Sequence, residues 1–102
     1  MNKINHTQAF DAWLLELKDI RAKRIIFRRI NNAVDGNFGD HHFLRGGVWE
    51  MRIHYGPGYR LYYAQEGSMI YLLLVGGDKQ TQSRDIEKAV AMWKAYREGT
   101  KK

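Results

Sequence analysis

Val48-Trp49-Glu50-Met51-Arg52-Ile53-His54-Tyr55-Gly56-Pro57-Gly58-Tyr59-Arg60-Leu61-Tyr62-Tyr63-Ala64 is the stretch that decides the fold. Trp49, Met51, Ile53 and Tyr55 alternate with Glu50, Arg52 and His54, which is the period of a half-buried strand with one apolar and one ionic face. Gly56-Pro57-Gly58 then interrupts the alternation, and Tyr59 to Ala64 resumes it. Proline presets one turn dihedral and glycine permits another, so the two runs are expected to pair as a β-hairpin. Pairing through that turn would bring Arg52 and Arg60 close on one ionic face, with Tyr62 beside them and Leu61 and Tyr63 on the other side. Gln65-Glu66-Gly67-Ser68 reads as a second turn. The run after it, Met69 to Val75, has lost its alternation, as expected of a central strand covered on both faces.

Toward the N-terminus the period changes to that of a helix. Phe10, Trp13, Leu14 and Leu17 share one helical face behind a candidate N-cap at Thr7. Asp19 reads as a second cap, before the stripe Ile26, Phe27, Ile30, Ala33 and Val34 and the Asp35-Gly36 stop. Toward the C-terminus, Ile86, Ala89, Val90, Trp93 and Tyr96 define a last helix of about four turns starting near Thr81. Gly99 is expected to end it, leaving residues 99–102 as a flexible tail. Lys3 to His6 is a possible short opening strand. The expectation is one α+β domain over residues 1–102, with an N-terminal helical hairpin packed on a twisted antiparallel β-sheet and a C-terminal helix.

With 102 residues and 44% hydrophobic content the chain can bury a core without staples. It contains no cysteine, which removes disulfides, thiolate zinc sites and cysteine nucleophiles from consideration and fits a reducing compartment. Met1 to Thr7 is too polar for a secretory signal, and no apolar run approaches membrane-spanning length, so a cytoplasmic protein without membrane contact is expected. The net charge of +6 favours polyanionic partners. Six cations, Lys18, Arg21, Lys23, Arg24, Arg28 and Arg29, stand against Asp19 alone, so +5 of that total lies in one helix. The bland explanation is a solvated face. The functional one is a surface that tracks phosphates on RNA or the ribosome, with salt-sensitive binding.

The ionic face of the hairpin is the candidate for chemistry. Arg52 and Arg60, with Lys79 just beyond Gly76-Gly77-Asp78, could form one electropositive patch beside His54, Tyr62 and Glu50. Metal-free RNA cleavage needs a base for the 2′-hydroxyl, cations for the phosphorane and an acid for the leaving oxygen, and arginine suits the middle task. His54, Lys79, Tyr62 and Glu50 are the candidates for proton transfer, and histidine alone titrates near neutrality without perturbation. Cross-strand ion pairing is the structural alternative for the same residues. His6, His41 and His42 lack carboxylate or thiolate partners at metal-ligand spacing, so they read as loop and surface histidines, and neither a metal nor a cofactor is expected. Gly76-Gly77 matches no nucleotide-binding pattern and reads as a sharp turn. Trp13, Trp49 and Trp93 read as core.

Several stretches together resemble a known family. Thr7-x-x-Phe10-x-x-Trp13-Leu14-x-x-Leu17-Lys18-Asp19, Gly36-Asn37-Phe38-Gly39-Asp40, Glu50-x-Arg52-Ile53, Tyr55-Gly56-Pro57-Gly58-Tyr59-Arg60 and Leu73-Leu74-x-Gly76-Gly77-Asp78-Lys79-x-Thr81-Gln82 resemble the addiction-module killer proteins, the phage-derived, HigB-like branch of the RelE/ParE toxins. The resemblance covers nearly the whole chain. It implies the toxin component of a type II toxin–antitoxin module that cuts messenger RNA on the ribosome and inhibits translation. It also implies a cognate antitoxin, usually a helix-turn-helix protein, through which alone the complex would bind DNA. On this resemblance Arg52, Arg60 and Lys79 are the principal site residues, with Tyr62 and His54 behind them. Arg60→Ala is expected to abolish toxicity at little cost in stability. The chain departs from the better-understood nucleases in lacking their Tyr- or His-rich ending, offering only Tyr96 and Arg97 after Trp93. That departure keeps a second expectation alive, a ParE-like toxin that poisons DNA gyrase without nuclease chemistry.

Overall fold

The computed structural model describes residues 1–100, the side chain of Thr100 excepted. The order of elements is β1 (Lys3–His6), α1 (Gln8–Glu16), α2 (Ile20–Val34), β2 (His41–Arg45), β3 (Val48–Ile53), β4 (Tyr59–Glu66), β5 (Met69–Gly76) and α3 (Gln82–Thr100). The five strands form one sheet in the order β1-β5-β4-β3-β2. The architecture is α+β, but the sheet is mixed and not purely antiparallel, because β1 runs parallel to β5. An apolar central strand needs hydrogen-bond partners on both edges. β1 supplies the second one, and the chain's ends of that pairing are fixed by Lys3 N donating to Ser68 O and Thr7 N donating to Leu72 O.

The helix starts follow from single side chains. Thr7 caps α1 by accepting from the Phe10 amide, and Asp19 caps α2 by accepting from the amides of Arg21 and Ala22. Asp19 also accepts from the Tyr55 hydroxyl at 2.9 Å, which ties the cap to the end of the β3 run. Hydrogen bonds donated by the Ala22 amide and then by the Tyr55 hydroxyl hold the Asp19 carboxyl below its ordinary range. Asp35 ends α2, and Gly36 follows at a φ of 92°.

Helices cover both faces. On one face, Phe10 of α1 and Ile26, Ile30 and Ala33 of α2 pack on Met51, Ile53, Leu61, Tyr63, Ile70, Leu72 and Val75. On the other, Ala89 and Trp93 of α3 pack on Val48, Tyr62, Ala64, Leu73 and Leu74. The last helix therefore lies across the sheet from the first two and makes a third layer. Three local expectations are corrected. His41 and His42 lie on an edge strand, not in a loop, and Leu44 alone of its five residues is half-buried, which leaves no alternation to read in the sequence. Phe27 is half exposed, off the buried stripe. The last helix continues through Gly99 to Thr100, while Lys101 and Lys102 of the expected tail lie outside the described residues.

Candidate anion-binding pocket

The β3–β4 pairing sets Arg52 directly opposite Arg60 and Glu50 opposite Tyr62, all on the face that α3 covers. Like charges in a directly opposed pair repel. Here a carboxylate lies between them: Glu50, with no solvent exposure, accepts from Arg52 Nε at 2.8 Å and has Arg60 Nε 3.6 Å from its other oxygen. That second oxygen also accepts from the Gln82 side chain at 3.0 Å, so the first turn of α3 is bonded to the same carboxylate. Hydrogen bonding to Glu50 raises Arg52 above the ordinary arginine value, which keeps it charged at any working pH. At 3.6 Å the Arg60 Nε contact is an ion pair and not a hydrogen bond. Arg60 instead donates through Nη1 to Gly58 O at 3.1 Å, within the hairpin turn.

Because α3 begins only at Gln82, this end of the sheet is not roofed. A pocket of about 270 Å³ opens there, lined by Arg52, His54, Pro57, Tyr59, Arg60 and Lys79 among others. Four of the five residues expected at the site are thus brought to one cavity from β3, β4 and the β5–α3 connection. The fifth is not. Tyr62 is fully buried below the pocket, its hydroxyl has no hydrogen-bond partner among the described residues, and burial pushes its phenol above the ordinary value. Arg60 is also more enclosed than the sequence suggests: its side chain is 11% exposed against 42% for Arg52. Truncating Arg60 would therefore cost stability as well as charge, contrary to expectation.

Gly76 has a use that its sequence context did not reveal. It is a strand residue, and a Cβ there would lie 2.8 Å from both Asp85 Oδ2 and Tyr62 Cε2. Its role is to admit the buried Asp85 of α3 against the sheet, whereas a Cβ on Gly77 would meet none of the described residues beyond its chain neighbours within 4 Å.

The basic helix divides. Lys18, Arg21, Arg24 and Arg28 are exposed and Lys23 is half-buried. Arg29 turns inward, donating to the backbone oxygens of Arg52 at 2.6 Å, Phe38 at 3.0 Å and Asp40 at 3.3 Å. Desolvation lowers its guanidinium from the ordinary value, and its hydrogen-bonding capacity goes to fixing the loop before β2. It is a clamp on that loop, unlike its exposed neighbours. One residue of the loop, Asp40, was not foreseen at the site, although its carboxylate reaches His54 Nε2 at 2.7 Å and His42 Nε2 at 3.0 Å. The two histidines are 14 and 2 residues away in the chain, a separation that no local motif signals.

Fold and pocket define an α+β protein with a three-layer arrangement and a cationic cavity at one end of its sheet. The chain is 45% identical over 87 residues to a protein of Haemophilus influenzae described as uncharacterized, covering 85% of this chain and 88% of that one. It belongs to one family with that protein. No family model matches the chain. Among the described residues no helix is long and apolar enough to cross a membrane, and no group of three His, Cys, Asp or Glu side chains is arranged to hold a metal ion.

Proposed function

We propose that this protein is a cytoplasmic RelE/ParE-type toxin of the HigB-like branch, acting as an endoribonuclease on ribosome-bound messenger RNA and neutralised by a cognate helix-turn-helix antitoxin. The observation that carries the reading is the convergence of Arg52, Arg60, Lys79 and His54 on one pocket. Three cations and an imidazole fit a phosphodiester: the cations neutralise the developing phosphorane and the imidazole moves a proton. The Glu50 carboxylate beneath them fixes the Arg52 guanidinium without occupying its outer donors. The exposed cations of α2 offer a separate docking surface for ribosomal RNA, with affinity that should fall steeply as salt rises.

The test uses induced expression, with primer extension on cellular transcripts. Cleavage within reading frames is expected from the wild type. The Arg52→Ala/Lys79→Ala double variant avoids the enclosed Arg60 and should lose roughly 100-fold or more of that activity. Unchanged growth arrest in that variant would remove the pocket from the account. Intact transcripts with double-strand DNA breaks would replace the reading with gyrase poisoning.

A further inference from the structure

Asp40 belongs to no motif that suggested chemistry and does not itself line the pocket, yet its carboxylate holds His54, which does. Its backbone oxygen accepts from the Arg52 amide at 2.9 Å and from Arg29 at 3.3 Å, and Arg29 also holds the Phe38 oxygen. The loop is therefore fastened on both sides. The Oδ2 atom meets His54 Nε2 at 2.7 Å, and Oδ1 meets His42 Nε2. We propose that Asp40 is a positioning residue, holding His54 as the proton acceptor for RNA cleavage in the arginine pocket. This inference rests on the endoribonuclease reading and names the residue that orients its base.

A carboxylate bonded to one ring nitrogen selects the tautomer with the proton on that nitrogen, and it stabilises the imidazolium formed when the other nitrogen accepts a proton. With Nε2 committed to Asp40, Nδ1 is the atom left to act. The need for such a partner follows from the surroundings. The charged and titratable groups around His54 are Arg52 on its own strand run with Glu50 beneath it, Tyr59 and Arg60 on β4, Lys79 before α3, His42 on β2, and Asp40. Glu50 is engaged by Arg52 and Arg60, and among the described residues Asp40 is the carboxylate that meets the His54 ring directly. Hydrogen bonding from His54, and secondly from His42, holds the Asp40 carboxyl below its ordinary range, which keeps it an acceptor at neutral pH. Tyr62, buried beneath, has no path to the substrate.

In the step itself, His54 Nδ1 removes the 2′-hydroxyl proton and the freed oxygen forms a bond to the adjacent phosphorus. The bond from phosphorus to the 5′-oxygen breaks, and that oxygen takes up a proton from solvent. The products are a 2′,3′-cyclic phosphate and a 5′-hydroxyl, and the imidazolium returns its proton to water.

Single-turnover cleavage of ribosome-bound mRNA from about pH 5 to 9 tests the assignment. Asp40→Asn should slow cleavage by roughly 10- to 100-fold and move the acidic limb of the profile to lower pH. Binding of a substrate carrying a 2′-deoxy group at the cut site should stay unchanged, and Asp40→Glu should restore part of the rate. His54→Ala should abolish the acidic limb, a readout that holds even if the Asp40 variants fold poorly. A wild-type profile in Asp40→Asn, or an intact acidic limb in His54→Ala, would overturn the inference while leaving the nuclease reading in place. A wild-type protein that cuts no RNA on ribosomes would instead bring down the nuclease reading, and this inference with it.

Discussion

Between the sheet and helices α1 and α2 the buried surface is made of Phe10, Ile26, Ile30 and Ala33 against Met51, Ile53, Leu61, Tyr63 and Val75, with no charged side chain and the Tyr63 hydroxyl as its one polar group among these residues. Between the sheet and α3 the apolar cluster of Val48, Ala64, Leu74, Ala89 and Trp93 gives way, toward the helix start, to Glu50, Tyr62 and Asp85. Those three are buried, and the Tyr62 hydroxyl and one Asp85 oxygen have no hydrogen-bond partner among the described residues. An apolar face is stabilised by area and tolerates repacking, whereas a buried polar group depends on particular partners. The polar end of the α3 face is also where the pocket opens. The chain thus places its least forgiving burial beneath its candidate chemistry, and one face secures the fold while the other positions charge.

The largest expected consequence of that difference is at Glu50. Glu50→Ala leaves Arg60 enclosed without a counter-charge and frees Gln82, so it should destabilise by about 3–5 kcal/mol in urea unfolding. The paired change on the opposite face, Met51→Leu, should cost less than about 1.5 kcal/mol. Equal costs would dissolve the distinction between the faces. Gly76→Ala comes next. Its methyl group would be forced against Asp85 and Tyr62, and about 1–3 kcal/mol should be lost, with the thermal midpoint reporting it. Gly77→Ala, in open space, provides the reference.

The smallest effect is acid sensitivity, and it belongs to the helical hairpin. The Asp19 carboxyl titrates lower in the folded protein than its ordinary 3.8, so its capping bonds are intact above that value and are lost as pH falls further. Protection of the Arg21 and Ala22 amides, taken relative to the intrinsic exchange rate at each pH, should fall below about pH 3.8 before that of the sheet amides changes. Simultaneous loss of both would mean that the cap contributes nothing separable.

Much of the fold was legible because its causes are local. The alternation from Trp49 to Tyr55, the Gly56-Pro57-Gly58 turn and the caps at Thr7 and Asp19 are read within a few residues of where they act, and the register that opposes Arg52 to Arg60 followed from the turn. β2 was missed because an exposed edge strand is stabilised by backbone pairing, which carries no side-chain signature. The parallel pairing of β1 with β5 joins residues more than sixty apart, and no local pattern encodes it.

By itself, then, the sequence determined the elements other than β2, the cationic character of one hairpin face and the concentration of charge in α2. Tertiary structure decided which of those charges meet. It turned Arg29 into a loop clamp, enclosed Arg60 over Glu50, withdrew Tyr62 into the core and brought Asp40 to His54. The physical reason is that exposure and pairing depend on distance in space. Residues fourteen or thirty-two positions apart, such as Asp40 with His54 or Glu50 with Gln82, become partners only when the layers close.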